Sequence, residues 1–142
     1  MEICMEKISS TIRQLLVNAE EDFSTWDAFR YKVKVVGNDG KKSVSVESKT
    51  YRQLKDDSEC FSAALKAIDQ QKKHIAIIGA TSYEWVVAYM GIVNSGSVAV
   101  PLDAQLPVQD LCDLINRADV TALVYDESKV QAAKEALNAC PE

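Results

Sequence analysis

Histidine is scarce in this chain of 142 residues, and basic residues are fewer than acidic ones. Sixteen lysines and arginines stand against 21 acidic residues, so the formal net charge is -5. Because the phosphates of nucleic acids require a basic surface, this balance disfavours a nucleic-acid-binding protein. The single histidine, His74, and four cysteines without C-x-x-C spacing disfavour a zinc site.

Long apolar runs, disulfide frameworks and targeting signals are missing as well. The longest apolar stretch, residues 85–93, contains Gly91 and is too short to span a bilayer. The N-terminus carries Glu2 and Glu6 and lacks the apolar block of a signal peptide. In a chain with an adequate core, the cysteines are expected to stay reduced. We therefore predict a cytoplasmic protein without a membrane span.

What is present is an ordinary globular composition, with 47% hydrophobic and 26% charged residues. This is enough apolar material for one domain with its own core. Apolar residues recur at helical spacing over residues 8–23 and predict an opening amphipathic helix, capped within residues 9–11. Residues 23–29 are expected to form a loop.

Two alternating segments predict a β-hairpin over residues 31–36 and 43–48. The glycine, asparagine and aspartate of residues 37–40 tolerate the positive φ that a tight reversal needs. Valines alternate with lysines in the first segment and with serines in the second. This alternation indicates one covered face and one wet face, so the hairpin is expected on an outer surface.

A second helix is expected directly after the hairpin. Thr50 and Gln53 form a capping-box pattern, in which each side chain bonds the backbone N–H of the other residue. The helical spacing also predicts the buried stripe of this helix. Its members are Leu54, Phe61, Leu65 and Ile68.

Strands and helices alternate through the rest of the chain. Three short apolar runs are typical of strands covered on both faces. They occupy residues 75–78, residues 98–100 and Val120–Tyr125. Helices are expected between and after them, over residues 83–94, from Pro107 onward and over residues 128–139. Such βαβ units make right-handed crossovers, so we predict a three-layer α/β fold with a parallel sheet, preceded by the N-terminal helix and the hairpin.

The helix over residues 83–94 carries three further expectations. Thr81 and Glu84 form a capping-box pattern at its start. Gly96 is expected to end it at positive φ, where a Cβ is costly. The helix is apolar on nearly all sides, more than three short strands can cover. We therefore expect self-association through its uncovered side.

Few residues have the surroundings of a catalytic or binding group. The turn of residues 79–82 opens a helix, where a phosphate could meet N–H groups, but a single glycine is no G-x-G-x-x-G pattern and helix capping is the simpler interpretation. Asp103 follows a strand at an edge where α/β sheets bind ligands, or it is a solvated loop carboxylate. His74 has no nucleophile motif beside it. Trp85 and Tyr89 are most simply core residues.

Four blocks, in order, resemble motifs of the adenylate-forming enzymes, the family of acyl-CoA synthetases and AMP-dependent ligases. They are Lys49-Thr50-Tyr51-Arg52-Gln53-Leu54, residues 74–79 with Ser82-Tyr83-Glu84-Trp85, Asn94-Ser95-Gly96 through Pro101-Leu102-Asp103, and Leu106-Pro107 with the helix after it. The sequence patterns Y-E-W and P-L-D-x-x-L-P are similar to those of long-chain fatty acid–CoA ligases. The likeness runs from about Trp26 to the end of the chain.

The resemblance implies that the full-length enzyme activates a carboxylic acid with ATP as an acyl-adenylate and transfers it to coenzyme A, with magnesium as a further cofactor. The family's phosphate loop T-S-G-T-T-G-x-P-K-G, its Y-G-x-T-E block, its ribose-binding aspartate and its late catalytic lysine have no counterpart in residues 1–142. No catalytic, cofactor-binding or metal role is therefore transferred, and these residues alone are expected to be inactive. The matching motif positions are interpreted as structural. They are Thr50, Tyr51, Gly96, Pro101 and Asp103.

Residues 1–142 are accordingly interpreted as an incomplete, N-terminal portion of the large N-terminal domain of the AMP-dependent synthetase fold. The implied partner is the remainder of the synthetase chain. Two other interpretations stay open, a stand-alone interaction or regulatory α/β domain and a small nucleotide-binding module of flavodoxin or Rossmann type. The length of the native reading frame tests the first, and saturable nucleotide binding tests the second.

Overall fold

A computed structural model describes residues 9–36 and 40–139 of the chain. The chain divides into two compact units, Met1–Asp56 and Asp57–Glu142. The first unit contains a helix, a hairpin and the start of a second helix. The second unit contains the rest of that helix, followed by alternating strands and helices.

Helix α1 (Ile12–Phe23) opens the first unit, and its N-cap is Thr11, inside the predicted range. The Thr11 hydroxyl accepts a hydrogen bond from the backbone N–H of Gln14 at 3.0 Å. The predicted loop over residues 23–29 is wrong in its second half, because strand β1 (Asp27–Val36) already begins at Asp27. A register irregularity between Asp27 and Phe29 interrupts the alternation, and with it the sequence signal.

The hairpin is formed by β1 and strand β2 (Lys42–Thr50), which pair antiparallel over more residues than predicted. Gly40 has a φ of 75°, whereas residues 37–39 of the predicted reversal lie outside the described residues. The register places Val46 opposite Lys32 and Val44 opposite Lys34. Since directly opposed residues share a face, the valines of β2 lie with the lysines of β1. The predicted single covered face is therefore wrong.

Helix α2 (Tyr51–Ala67) begins with the predicted capping box. The Gln53 backbone N–H donates to the Thr50 hydroxyl at 3.2 Å, and the Thr50 N–H donates to the Gln53 side chain at 2.9 Å. In the predicted stripe, Leu54 and Leu65 are buried and Phe61 is half-buried. Ile68 is 66% exposed, because the helix ends one residue before it.

Three parallel strands form the sheet of the second unit, as predicted, and their order is β4-β3-β5. They are β3 (His74–Ile78), β4 (Val98–Leu102) and β5 (Val120–Tyr125). Residues 75–78 of β3 are at most 2% exposed. The expectation that β4 is covered on both faces is wrong, since Val98 is 50% exposed and Pro101 is also exposed. Proline has no N–H for the ladder and suits an edge strand.

Helices cover both faces of β3, which confirms the three layers. Ile75 and Ile77 pack with apolar residues of α2 and of helix α3 (Tyr83–Asn94) on one face. Ile78 packs on the other face with helices α4 (Val108–Arg117) and α5 (Val130–Ala139). The alternation follows the two-residue period of a strand. Pro107 is the N-cap of α4 rather than part of its first turn, and a 3₁₀ turn, Glu127–Lys129, precedes α5.

No apolar residue of helix α3 is exposed. Every residue in it except Glu84 is buried or half-buried, so the expected uncovered apolar side is wrong. A Cβ on Gly91 would lie 2.9 Å from the Ser58 carbonyl oxygen, which shows how closely α2 approaches α3. The Thr81–Glu84 capping box is also wrong, because Ser82 is the N-cap and its hydroxyl accepts from the Trp85 N–H at 3.2 Å.

The end of α3 is a Schellman motif centred on Gly96, whose φ is 78° as predicted. The Gly96 N–H donates to the Val93 carbonyl at 3.0 Å, and the Ser97 N–H donates to the Ile92 carbonyl at 3.2 Å. The buried Ser97 hydroxyl then donates to the Gln70 carbonyl at 3.0 Å, which fixes the start of β4. The turn thus carries the chain from the helix layer back into the sheet.

Replacing Gly96 tests this turn. A Cβ at this position would meet only Lys72 Cγ, at 3.9 Å, so the cost of Gly96→Val is conformational rather than steric. We expect a loss of about 1–3 kcal/mol in the free energy of unfolding, measured by urea denaturation. Gly96→Asn is the matched control, because asparagine tolerates positive φ, and it should lose less. Equal stability of both variants and the wild type would contradict the assignment.

Candidate functional site

The carboxyl edge of the parallel sheet is the natural place for a ligand in this fold. Three segments leave the strands there. The turn of residues 79–82 follows β3, Asp103 follows β4 and Asp126 follows β5. Their side chains decide what this edge can bind.

Asp126 holds the end of β5 against the turn after β3. One carboxylate oxygen accepts from the Ala80 N–H at 2.7 Å. The other accepts from the Ser128 N–H at 2.9 Å and from the Ser128 hydroxyl at 2.5 Å. Hydrogen bonding from the Ser128 hydroxyl, and then from the Ala80 N–H, lowers the pKa of Asp126 below its usual value. The carboxylate therefore stays ionised at neutral pH.

Gly79 lies directly against this carboxylate. A Cβ on Gly79 would sit 2.6 Å from Asp126 Oδ2, closer than real contacts allow. The single glycine of the turn is thus explained by the close approach of Asp126. It need not be explained by a bound phosphate.

The turn of residues 79–82 is poorly suited to a nucleotide phosphate. Its Ala80 N–H already bonds a carboxylate, whose charge repels a second anion. The Ser82 hydroxyl is used to cap α3, which confirms the capping interpretation. Lys129 stands beside Asp126, but its ammonium donates to the Ala104 carbonyl at 2.5 Å. These contacts favour a structural interpretation of the turn over a phosphate site.

A small cleft opens beside the turn, with a volume of about 90 Å³. Trp85, Ala88, Val124 and Tyr125 give it an apolar lining, and Glu84 and Asp126 contribute its charged groups. Drug-sized ligands usually require pockets of roughly 300–1,000 Å³. The cleft is too small for a nucleotide.

The structure does not bring the other sequence candidates together. Asp103 follows the carboxyl end of β4 and is exposed, and its Oδ1 accepts from the Gln105 N–H at 2.8 Å in a local turn. His74 opens β3 at the opposite end of the strand, where Nδ1 lies 2.5 Å from the Ala118 carbonyl oxygen. The two side chains therefore belong to separate local contacts.

The family-motif positions lie in turns, at a helix start and on an edge strand. Tyr51 begins α2, and its N–H donates to the Trp26 carbonyl at 3.1 Å. Pro101 lies on the edge strand β4, opposite Ile77 of β3. Their structural role stays a prediction, as does that of Thr50, Gly96 and Asp103.

Sequence reasoning missed Asp126, whose carboxylate accepts three hydrogen bonds at this edge. Its signal was an Asp-x-Ser pattern between a strand and a helix, which is typical of a capping turn. The bond to Ala80 spans 46 residues of sequence and has no local signature.

Residues 9–36 and 40–139 contain no group of three His, Cys, Asp or Glu side chains able to hold a metal ion. Within the same residues, no helix has the length and apolar character required to cross a bilayer. Cys60 is exposed and Cys112 is buried, and both are free thiols. Cys4 and Cys140 lie outside the described residues.

Comparison with known proteins decides the family. A family model described as "AMP-binding enzyme" matches residues 26–142. The chain belongs to the AMP-binding enzyme family. This agrees with the motif blocks of the sequence and with the parallel α/β unit.

Curated relatives of this AMP-binding chain include ligases. A 3-[(3aS,4S,7aS)-7a-methyl-1,5-dioxo-octahydro-1H-inden-4-yl]propanoyl:CoA ligase from Rhodococcus jostii is 36% identical over 76 residues, 53% of this chain and 15% of the relative. A D-alanine–D-alanyl carrier protein ligase from Listeria monocytogenes is 30% identical over 80 residues, 55% of this chain and 16% of the relative. The matches thus span only about a sixth of these relatives' length.

Solved structures show the same fold. The adenylation domain of a carboxylate reductase from Mycobacterium chelonae gives a TM-score of 0.79 at 21% identity, over 96% of this chain and 22% of that one. The A-PCP didomain of a carboxylic acid reductase from Segniliparus rugosus gives a TM-score of 0.82 at 17% identity, over 96% of this chain and 20% of that one. The described architecture therefore matches part of the fold of an adenylation domain.

Asp126→Ala should reduce stability by about 1 kcal/mol near neutral pH, as the loss of a helix-capping side chain does. Because the pKa of Asp126 is lowered in the folded state, its contribution is present above the ordinary value of 3.8 and is lost as the pH falls through the lowered value. The difference in unfolding free energy between wild type and variant should therefore shrink in acid.

Urea denaturation at neutral pH and below pH ~3.8 measures this difference. Asp103→Ala is the matched control, because it removes a single local bond from an exposed carboxylate, and it should cost less at neutral pH. A wild-type–variant difference for Asp126 that does not change with pH would contradict the proposed contact.

Proposed function

We propose that residues 1–142 form the N-terminal portion of an ATP-dependent acid–thiol ligase. The full enzyme would activate a carboxylic acid as an acyl-adenylate, release pyrophosphate and transfer the acyl group to coenzyme A. The observation that carries this proposal is the family match over residues 26–142. The names of the two relatives described above support it, since one is a CoA ligase and the other is a ligase for a carrier protein.

A long-chain fatty acid is the proposed substrate. This finer proposal rests on the Tyr83-Glu84-Trp85 block and on the block from Pro101 to Pro107. Trp85 stacks on Tyr89 with ring centroids 5.6 Å apart and packs against the core of its unit. The block is therefore used as a marker of the subfamily, and no contact of these rings with an acyl chain is inferred.

Nucleotide chemistry is assigned to the remainder of the synthetase chain, the proposed partner of this portion. Adenylation needs donors and cations aimed at the phosphates as charge moves to pyrophosphate. The turn of residues 79–82 instead presents a carboxylate at its backbone donor. Residues 1–142 alone are therefore proposed to be inactive, with ATP, magnesium and coenzyme A bound elsewhere. The proposed compartment is the cytoplasm.

The alternative interpretations have less support. A small nucleotide-binding module would need its phosphate turn free, and Asp126 is bonded to that turn. Self-association remains a proposal, but it has lost its first argument because no apolar residue of α3 is exposed. The length of the native reading frame still has to distinguish a stand-alone interaction domain from a ligase.

Pyrophosphate release tests the proposal directly. Purified residues 1–142 and the protein encoded by the whole native reading frame are assayed with ATP, magnesium, coenzyme A and a series of acids from acetate to palmitate. We expect turnover by the whole protein, strongest with long-chain acids, and none by residues 1–142. Without cations at the phosphates, the barrier to adenylation remains high.

The outcomes separate the two levels of the proposal. A whole protein active only with short or aromatic acids would refute the long-chain substrate and keep the ligase. Turnover by residues 1–142, lost on changing a residue within them, would refute the assignment of nucleotide chemistry to the remainder of the chain.

A further inference from the structure

One face of the hairpin combines positive charge with exposed valines. The register places its members side by side on the two strands. They are Arg30, Lys32, Lys34 and Val36 on β1, and Lys42, Val44, Val46 and Ser48 on β2. We call this set the lysine–valine face.

The valines of the lysine–valine face are unusually open to solvent. Val36 and Val46 are each 64% exposed, and Val44 is 63% exposed. On the other face of β1, Tyr31 and Val33 are half-buried and Val35 is 41% exposed, less than any of these three valines. Aliphatic side chains this open, grouped on one face, are candidates for contact with an apolar surface.

The same face is basic in an acidic chain. It carries four cations and no carboxylate, whereas the whole chain has a formal charge of -5. Only Arg30 has a carboxylate at hydrogen-bond distance in the described residues, Asp27 at 2.7 Å. From residue 30 to residue 36 the face extends about 20 Å along β1, at ~3.3 Å per residue. Neighbouring cations therefore lie within one screening length and act together on an anionic surface.

The composition distinguishes between the kinds of anionic partner. Protein interfaces are depleted in lysine and rely on tryptophan, tyrosine and arginine anchors set in pockets. The lysine–valine face has lysines, aliphatic side chains and no aromatic ring. Binding to an anionic bilayer requires only cations near the headgroups and aliphatic side chains at the boundary between headgroups and acyl chains. The aliphatic part of a lysine side chain extends readily into that boundary.

Lysines on edge strands also prevent edge-to-edge pairing with the sheet of another chain. That role explains the cations of a two-stranded sheet but gives no reason for three exposed valines between them. The combination of both residue types on one face is what favours a bilayer.

We propose that the lysine–valine face binds the surface of anionic lipid bilayers. The binding itself does not depend on the proposed function. The functional consequence of the binding rests on the proposed function, because a surface of this kind would hold a ligase for long-chain fatty acids at the bilayer where such acids dissolve.

Vesicle co-sedimentation tests the proposal without measuring activity. Residues 1–142 and the protein of the whole reading frame are each mixed with phosphatidylcholine vesicles, with or without phosphatidylserine. Both proteins should sediment with the anionic vesicles, less so as salt is raised, and not with the neutral ones. No binding to anionic vesicles would overturn the proposal.

Matched variants locate the binding surface. Changing Lys32, Lys34 and Lys42 to glutamine should weaken binding at least tenfold. Val44→Thr with Val46→Thr should weaken it while keeping the strand propensity of the hairpin. The control changes the same number of exposed lysines outside the hairpin. They are Lys66, Lys72 and Lys134.

Three results would assign the face to another occupant and overturn the proposal. An equal loss in the control variant would mean that diffuse charge alone binds the vesicles. Binding by residues 1–142 but not by the whole protein would mean that its own chain covers the face. Dimerisation or binding to polyglutamate that depends on the three hairpin lysines, with no vesicle binding, would mean a second copy or an acidic protein. Far-ultraviolet circular dichroism of each variant confirms that the hairpin and helices remain folded.

Discussion

Burial of strand β3 on both faces is the constraint on which the second unit depends. Residues 75–78 are at most 2% exposed, so helices must cover both sides of the strand and β4 and β5 must pair with both of its edges. Fully burying each isoleucine contributes about 1.5–3 kcal/mol. The special backbone positions serve this arrangement. Gly91 lets α3 approach α2, Gly96 returns the chain to the sheet, and Gly79 admits Asp126 at the end of β5.

Local patterns predicted much of this fold. The apolar runs of the three strands, the capping box at Thr50 and the turn at Gly96 each depend on neighbours in sequence, and the structure contains all of them. The errors fall where distant residues decide. The register of the hairpin places the valines of β2 on the same face as the lysines of β1. The hydrogen bond from Ala80 to Asp126 could not be inferred from either segment alone. For the same reason, sequence predicted the carboxyl edge of the sheet but not what occupies it.

The geometry of that edge bears on how this AMP-binding chain contributes to a ligase. Its backbone donor at Ala80 is bonded to an ionised carboxylate, and the adjoining cleft of about 90 Å³ is small. These features stabilise the connection between β3 and β5, and they make the edge unsuited to phosphate. In the proposed ligase, the described unit would therefore serve as scaffold for an active site assembled with other segments.

Equilibrium binding of ATP to residues 1–142 is the most direct test of this account. In isothermal titration calorimetry with magnesium, the chain should show no saturable binding, because its turn after β3 offers a carboxylate where a phosphate would need a donor. The protein of the whole reading frame should bind ATP in the same titration. Saturable, stoichiometric binding to residues 1–142 that is lost on changing residues of that turn would contradict the scaffold assignment.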